Sequence, residues 1–535
     1  MKKKFTGIAL TIAVCVGLTA CSGKNNEQKV ADEVVKTTSD TYPLETDAEL
    51  RWWVPSGNNF YEKMEEMPFW QYLQEETGVK IKVEYPSDGN ASQAVALMLA
   101  SDDKPDIIQR NWGNGTDKQI DDGVIIDITP YMEKGIAPNY KRIMDENPEY
   151  KPLATTVDGR YFGFSQILGD EILTSYRSYF IREDLLKKAG LEKPETIDEW
   201  ENVLKTFKEM GVEAPITLRL SIGAQAGDGP FMAALGVIPG FYHDGDTVKY
   251  GFAEQSYRKW VELMRKWYSN GWLDKDFVDT AASKLSAQVT NGKVGAYMGS
   301  IGGEYGNYLD ALPENSALEW EPVKVPVANK GERAIFNQKQ NMVHAISAVV
   351  TGQSKYKEIA VRVLDYGYSE AGQRLWNFGR EGISYTMEKD ENGNLIPTYS
   401  DLLKDPAKRE GRTFGQQLGL YANVGNPISV QSKNYIMQNY ARKEQLQALE
   451  YATDTDADKY KMPNILFTGE EETEILDILT PVETYIDETI IKIITGRLPL
   501  EYMDEYYKQI EKLGINDAID MYQKAYDRYS SKPLN

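Results

Sequence analysis

From residue 49 onward, apolar and polar positions fall into regular periods. Glu49-Leu50-Arg51-Trp52-Trp53-Val54 reads as a first strand, closed by the turn-forming stretch Pro55-Ser56-Gly57-Asn58-Asn59. Pro68 opens a helix whose apolar face is Phe69, Leu73 and Thr77, and Gly78 stops it. Val79, Ile81, Val83 and Tyr85 alternate as a strand, Ala94, Val95, Met98 and Leu99 have helical spacing, and Pro105-Asp106-Ile107-Ile108 is a buried strand. This βαβαβ order predicts a parallel sheet with helices on both faces. Ligands of such sheets sit at the carboxyl ends of the strands, which singles out the loops at 55–59 and 110–115.

A second series follows. Residues 176–182 read as a strand, and Thr196-Ile197-Asp198-Glu199 is a capping box opening a helix with the face Trp200, Leu204, Phe207 and Met210. Residues 216–220 form a strand whose exit loop is 221–229. Tyr257, Trp260, Val261, Met264, Trp267 and Tyr268 line a long helix closed by Asn270-Gly271-Trp272. Residues 291–298 are a turn and strand leading to a Gly-rich loop at 299–303, and 343–350 is a further apolar strand. Asn392-Gly393 between two strand-like runs signals a hairpin, and from Glu470 the chain is mostly helical with Gly496 and Gly514 as stops.

Before this body lies a different pattern. Lys2, Lys3 and Lys4 precede an apolar run from Phe5 to about Leu18, too short for a permanent span, which needs roughly 20 apolar residues. Leu18-Thr19-Ala20-Cys21 resembles the bacterial lipobox, at which a peptidase cuts before a cysteine that carries lipid. Of the two cysteines, Cys15 lies inside the apolar run, so cleavage leaves Cys21 alone at the first mature position with no disulfide partner. The expectation is a signal peptide at 1–20 and a lipid-attached Cys21. A polar, flexible stalk at 21–48 would tether the body outside the cytoplasm by its acyl chains.

Composition narrows the partners. Hydrophobic residues are 41% and aromatics 11%, ample for large cores, and the remaining length predicts two or three domains. The net charge of −21 disfavours nucleic acid and anionic headgroups. No nucleophile elbow, Walker loop or dinucleotide fingerprint occurs. His243 and His344 lack metal-ligand spacing, so a zinc or Cys/His site is not expected. Asp454-x-Asp456-x-Asp458 begins like a calcium loop, but Lys459 stands where Gly is needed and Ile465 where Glu is needed; it reads as a solvated acidic turn.

Several stretches occur together behind the lipobox: Pro105-Asp106-Ile107-Ile108, Tyr179-Phe180-Ile181-Arg182-Glu183-Asp184-Leu185-Leu186 ahead of Pro194-Glu195-Thr196, Asn291-Gly292-Lys293-Val294-Gly295-Ala296, Gly379-Arg380-Glu381-Gly382-Ile383-Ser384-Tyr385, and Ile494-Thr495-Gly496. On these the mature chain resembles the family-one extracellular solute-binding lipoproteins of carbohydrate ABC importers, in the large oligosaccharide-binding branch akin to the alginate-binding proteins. The resemblance implies an α/β, two-lobed periplasmic-binding-protein-like fold (type II), each lobe a mainly parallel sheet flanked by helices, with the ligand cleft between lobes. It implies lobes from 49–174 plus 345–400 and from 175–344 plus 401–535. It further implies a monomer without cofactor or catalysis, whose partners are an oligosaccharide, the importer's permease subunits and, through the lipid, the membrane. Calcium sites of the alginate-binding branch use an acidic loop after the helix at 196–210. Lys208-Glu209-Met210-Gly211-Val212-Glu213-Ala214-Pro215 lacks those ligands, so no metal is expected.

Sugars need aromatic platforms for their C–H faces and planar hydrogen-bonding groups for their hydroxyls. Trp200, Trp260 and Trp267 fall on core stripes, Trp272 on a cap, Trp70 on a helix, and Trp52 and Trp320 within strands. Trp112, Trp376 and Trp53 remain, with Trp112 and Trp376 expected to stack on ligand. Polar candidates in strand-exit loops are Asn58, Asn59, Arg110, Tyr176, Arg219, Gln225, Ser300 and, beside Trp376, Glu381. Gly302 takes the place of a tryptophan found in related maltodextrin binders. The competing classes are a surface-anchored glycoside hydrolase, which needs two carboxylates, and a peptide or amino-acid receptor of the same fold.

Overall fold

The computed structural model describes residues 41–531, except 59, 87–89, 219–228, 279–281, 314, 424–426 and 441. In chain order the strands begin with β1 Glu49–Trp53, β2 Lys80–Glu84, β3 Ile107–Trp112, β4 Phe164–Leu168 and β5 Arg177–Arg182. There follow β6 Phe241–Asp244, β7 Thr247–Tyr250, β8 Ala296–Ser300 and β9 Trp320–Val323. The series ends with β10 Val343–Val350, β11 Tyr385–Lys389, β12 Leu395–Tyr399 and β13 Val430–Gln431. The signal peptide, Cys21 and most of the expected stalk lie outside the described residues. Among the described residues no helix is long and apolar enough to cross a membrane.

The alternation that predicts the first three strands also sets their pairing. β1 runs parallel to both β2 and β3, with helices Pro68–Thr77 and Ala91–Ala100 as crossovers. The complete sheet has six strands in the order β13-β4-β10-β3-β1-β2. β10 enters it antiparallel to β3 and β4, and β13 joins its edge parallel to β4. Asp106 braces one end: its carboxylate accepts from the Arg51 N–H at 2.8 Å and the Ser354 hydroxyl at 2.6 Å. Beneath the sheet, edge-to-face contacts link Trp52 to Trp70, Trp70 to Phe69, and Phe69 to Trp376, with centroids 4.8–5.3 Å apart. Residues 44 and 48, placed in the stalk by the sequence, are buried here, and the Leu44 N–H donates to the Thr77 carbonyl at 2.8 Å.

A second sheet has the order β8-β5-β9, with β5 antiparallel to both neighbours. Parallel bridges extend it from Ala214, Ile216 and Thr217. The strand expected at 216–220 is thus reduced to single bridges as far as the described residues reach. Gly295 lets this layer close: a Cβ there would lie 2.4 Å from the Phe207 ring and 2.7 Å from the Pro215 carbonyl. Helix Ile197–Glu209 starts on the expected capping box, with Thr196 Oγ1 accepting from Glu199 N–H and Glu199 Oε2 from Thr196 N–H. Helices Tyr257–Ser269, Gly469–Ile494, Met503–Lys512 and Ile515–Ser530 pack into the same core. The Gly-rich stretch expected as a loop is a wide helical turn, Ile301–Gly306, running into helix Asn307–Ala311.

Apolar side chains therefore gather into two large groups. One draws on residues from Leu44 to Ile167 and from Val343 to Ile428; the other draws on Tyr179 to Ala334 and Phe467 to Ala525. A smaller cluster around Phe378, Tyr399 and Leu418 joins the hairpin β11–β12 to helix Phe414–Tyr421.

Two stability predictions follow from these contacts. Thr196→Ala removes the capping oxygen and is expected to cost about 1 kcal/mol in chemical denaturation. Asp365 is buried against helix Pro138–Glu146, accepting from Asn139 Nδ2 and the Tyr140 N–H at 2.8 Å each. Burial outweighs these donors and pushes its pKa up to about 6. A carboxyl raised above its unfolded value stabilises the fold below about pH 4 and loses that contribution as pH rises through 6, an effect of about 3 kcal/mol. Asp365→Asn should flatten this part of the stability–pH curve; an unchanged slope would remove Asp365 as its source.

Candidate functional site

The carboxyl ends of β1 and β3 open onto two cavities on either side of the 54–58 turn. One, of about 400 Å³, is lined by Trp53, Pro55, Ala91, Ser92, Arg110 and Asn111 among others. The other, of about 300 Å³, is lined by residues including Pro55, Asn58, Trp70, Gln109, Gly419 and Asn423. Parallel pairing of β1 and β3 brings Trp53 and Ile108 side by side, so the two chain exits diverge from one point.

Arg110 in the first cavity has a local reason for its position. Arg110 stands on β3, its guanidinium 4.8 Å over the Trp112 ring, with Nε donating to the Asn111 carbonyl at 3.1 Å. Burial lowers its pKa from the ordinary arginine value, opposed by the field of Glu472. Trp112 was expected in a loop as a stacking platform. β3 instead continues through it, and Trp112 is 6% exposed, donates Nε1–H to the Ile108 carbonyl at 3.3 Å, and carries Arg110 on its ring. It supports the site from beneath.

In the second cavity Asn58 forms the turn. Its side-chain oxygen accepts from the N–H groups of Phe60 and Tyr61 at 2.7 and 2.8 Å. Phe60 is exposed and stacks beneath the Arg412 guanidinium at 5.1 Å. Gln109 accepts from Trp52 Nε1–H at 3.1 Å, which anchors its amide in the floor.

Tyr176 and Ser300 are neighbours on the second sheet. The Tyr176 N–H donates to Gln338 Oε1 at 3.1 Å, its carbonyl accepts from Ile301, and Ser300 pairs with Arg177. Neither lines the two cavities. Trp376 is a correction: it lies within helix Glu370–Phe378, 2% exposed, its ring edge-to-face with Phe69, so no face is open to a ligand. Glu381 is exposed in the turn after that helix, where the adjacent Arg380 pairs with Glu75 at 2.7 Å and covers Tyr72. Glu381 lines neither cavity. Asn59, Arg219, Gln225 and Cys21 lie outside the described residues. Reading the sequence missed Ser92, Asn111, Gly419 and Asn423. Asn111 was accessible through the strand-end rule, whereas no local pattern connects Asn423 to the turn at 54–58.

The second apolar group reaches this edge through the start of helix Gly469–Ile494. Asn114 Oδ1 accepts from the Phe467 N–H at 3.1 Å and the Gly115 N–H donates to the Phe467 carbonyl at 3.3 Å. Gly115 is favoured by its φ of +69°, and a Cβ there would also lie 2.5 Å from Glu472 Oε2, which a shift of that side chain could relieve. The junction of the two groups thus adjoins Arg110.

Among the described residues no group of three or more His, Cys, Asp or Glu is placed to hold an ion. In the 208–215 turn, Lys208 Nζ donates to the Glu213 carbonyl and Lys293 pairs with the Glu213 carboxylate at 3.4 Å, an arrangement already filled by cations. The Asp454–Asp458 turn is ion-paired, with Arg333 on Asp454 and Asp456 and Lys339 on Asp458. His344 is half-buried with its pKa lowered by burial, and His243 is a half-buried ring stacked on Tyr526.

Two sheets joined at such an edge define a class, and sequence comparison agrees. The profile of the bacterial extracellular solute-binding proteins matches residues 55–374, more than half of the chain, and the chain belongs to that family. It is similar to the fructooligosaccharide ABC transporter substrate-binding protein FusA of Streptococcus pneumoniae serotype 4, at 26% identity over 99% of both chains. Its fold is that of the alginate-binding protein AlgQ2 without calcium ion, with a TM-score of 0.71 at 22% identity, covering 90% of this chain and 99% of that one. An HMO-binding, ABC-transporter-associated solute-binding protein from Bifidobacterium longum infantis gives 0.74 at 19% identity, over 91% of this chain and all of that one.

The geometry separates two tryptophans by experiment. Trp53 lines the first cavity but is 5% exposed, so Trp53→Ala is expected to weaken ligand binding by about 1 kcal/mol or more and to lower stability as well. Trp376→Ala should lower stability alone, by about 3–5 kcal/mol, as truncation of a core aromatic does. Calorimetric titration beside denaturation measures both, and the opposite pattern would return Trp376 to the site.

Proposed function

We propose that the protein is an extracytoplasmic receptor that captures an oligosaccharide and delivers it to an ABC importer. The observation that carries this reading is the lining of the two cavities. Trp53 offers an aromatic wall, while Ser92, Asn111, Asn58, Gln109 and Arg110 offer hydroxyl, amide and guanidinium groups. Such a mixture suits a ring with an apolar face and a polar rim.

No aspartate or glutamate is among the described residues lining either cavity. A glycoside hydrolase needs a pair of carboxylates flanking the bond it breaks, so binding without catalysis is the better account. The substrate named for FusA, a fructooligosaccharide, supports a carbohydrate ligand here. In this reading one lobe is built on the six-stranded sheet and the other on the three-stranded sheet with the C-terminal helices. Residues 169–176, 335–342 and 432–435 are the crossings between them. Tyr176 and Ser300 are proposed to meet the sugar from the second lobe, and a lipid on Cys21 to hold the monomeric body at the membrane.

A thermal-shift screen of residues 22–535 tests the reading against oligosaccharides, amino acids and short peptides. A ligand at a hundredfold excess over its dissociation constant should stabilise the fold by about 2.7 kcal/mol. Stabilisation by an oligosaccharide that is recovered intact is the expected result. A response to peptides alone would make the protein a receptor of another class, and a cleaved sugar would make it an enzyme.

A further inference from the structure

Charge pairing across the molecule is close to systematic for its arginines. Arg51 meets Glu84 at 2.8 Å, Arg182 meets Asp184 at 2.6 Å, Arg333 meets Asp454 at 2.8 Å, and Arg528 meets Glu471 at 2.8 Å. With 81 acidic side chains against 60 basic ones, a counter-ion is seldom far from an arginine. Arg265, Arg409 and Arg497 are exceptions elsewhere in the fold, Arg265 donating to the Ile493 and Leu498 carbonyls, and Arg110 is an exception that lines a cavity. Among the described residues its one hydrogen bond goes to the Asn111 carbonyl, and it makes no ion pair. Glu472, at the start of helix Gly469–Ile494, acts on it only through its field.

A guanidinium has five donors in a planar fork, and one is used here. The Trp112 ring fixes its plane from one side, as a cation–π contact does. Its remaining donors belong to a residue that lines the 400 Å³ cavity beside Ser92, Asn111 and Trp53. Desolvating a cation without a partner is costly, which is why its pKa falls. The group that relieves this cost is an anion of matching planar shape, and a carboxylate fits the fork in bidentate fashion.

We infer that the ligand is an acidic oligosaccharide, one that carries a sugar carboxylate, and that Arg110 is the residue that selects it. This rests on the reading of the protein as an oligosaccharide receptor and narrows its substrate class. The overall negative charge of the protein does not oppose it, because charges beyond about 10 Å are screened at ordinary ionic strength while a half-buried contact is not.

The test is calorimetric titration of residues 22–535 with oligogalacturonates, oligoalginates and glucuronate-bearing xylo-oligosaccharides. Each is measured beside its carboxyl-reduced neutral counterpart, with neutral fructo-oligosaccharides and a set of short peptides as further arms. At least one acidic sugar should bind roughly tenfold or more tightly than its reduced form, as a charge-assisted hydrogen bond implies. In Arg110→Gln the acidic-to-neutral ratio should fall to about one. Arg110→Lys, which keeps the charge but not the fork, should give an intermediate ratio and decides the matter if the Gln variant fails to fold. A neutral sugar binding as tightly as any acidic one overturns the inference and leaves the receptor reading standing. A ratio unchanged in Arg110→Gln also overturns it, and assigns Arg110 to the contact with Glu472. Silence from every sugar, acidic and neutral, with a response to peptides overturns the receptor reading itself.

Discussion

The pairing on which the structure depends is the entry of β10 between β3 and β4. All three strands are nearly wholly buried, and β10 supplies both neighbours with their hydrogen-bonding partner. Until residues 343–350 arrive, β3 and β4 have unpaired edges in the middle of an apolar core, a costly condition for backbone groups. Everything between β5 and β9 must therefore be accommodated as an excursion that leaves the first sheet and returns to it. That excursion is long enough to bury its own core, so a second sheet forms, and the chain has to cross between the two more than once. The cavities lie at the edge where this happens because β1 and β3 end there and helix Gly469–Ile494 begins there.

Local pattern made the elements legible and left their partners hidden. The run from Glu49 to Ile108 carries strand and helix periods unbroken by ambiguous residues, and its parallel order followed from connection rules. The capping box at Thr196 and the stripe of Tyr257, Trp260, Val261, Met264 and Trp267 are equally local and appear as read. The Gly-rich stretch after β8 was misread because glycines signal a turn, whereas here they allow close packing: a Cβ on Gly302 would meet the Tyr440 ring at 2.9 Å and one on Gly306 the Gln445 amide at 2.6 Å. A contact with residues more than a hundred positions later leaves no mark in the local period.

The tryptophans illustrate the limit for the site. Exclusion by helical and strand periodicity worked for Trp52, Trp70, Trp200, Trp260 and Trp267, all fully buried. It failed for Trp376, whose helix has its apolar face in the sequence but whose neighbour Phe69 comes from a helix 300 residues earlier. It half-succeeded for Trp112, which lies at the predicted strand end but beneath Arg110. Four more residues of strand than expected decided that outcome, placing Trp112 two positions from Arg110 and on the same face of β3. Asn423 and Gly419, which line the second cavity, could not be found at all without the tertiary structure.

Charge and aromaticity then act together where β1 and β3 end. An aromatic ring below a guanidinium holds it in place without neutralising it, unlike a carboxylate, which would fix it and cancel its charge. Arg380 and Arg412 also lie over rings, those of Tyr72 and Phe60, but each has a carboxylate partner as well, Glu75 and Glu410. Arg110 on Trp112 has no such partner among the described residues, and it sits in a cavity instead of at a surface. A structural arginine gains nothing from that choice, because the desolvation cost is left uncompensated. A recognition arginine gains selectivity, because the compensation arrives with the ligand. The absence of acidic side chains among the described residues lining the cavity has the same consequence. It leaves the guanidinium without a carboxylate partner in that lining.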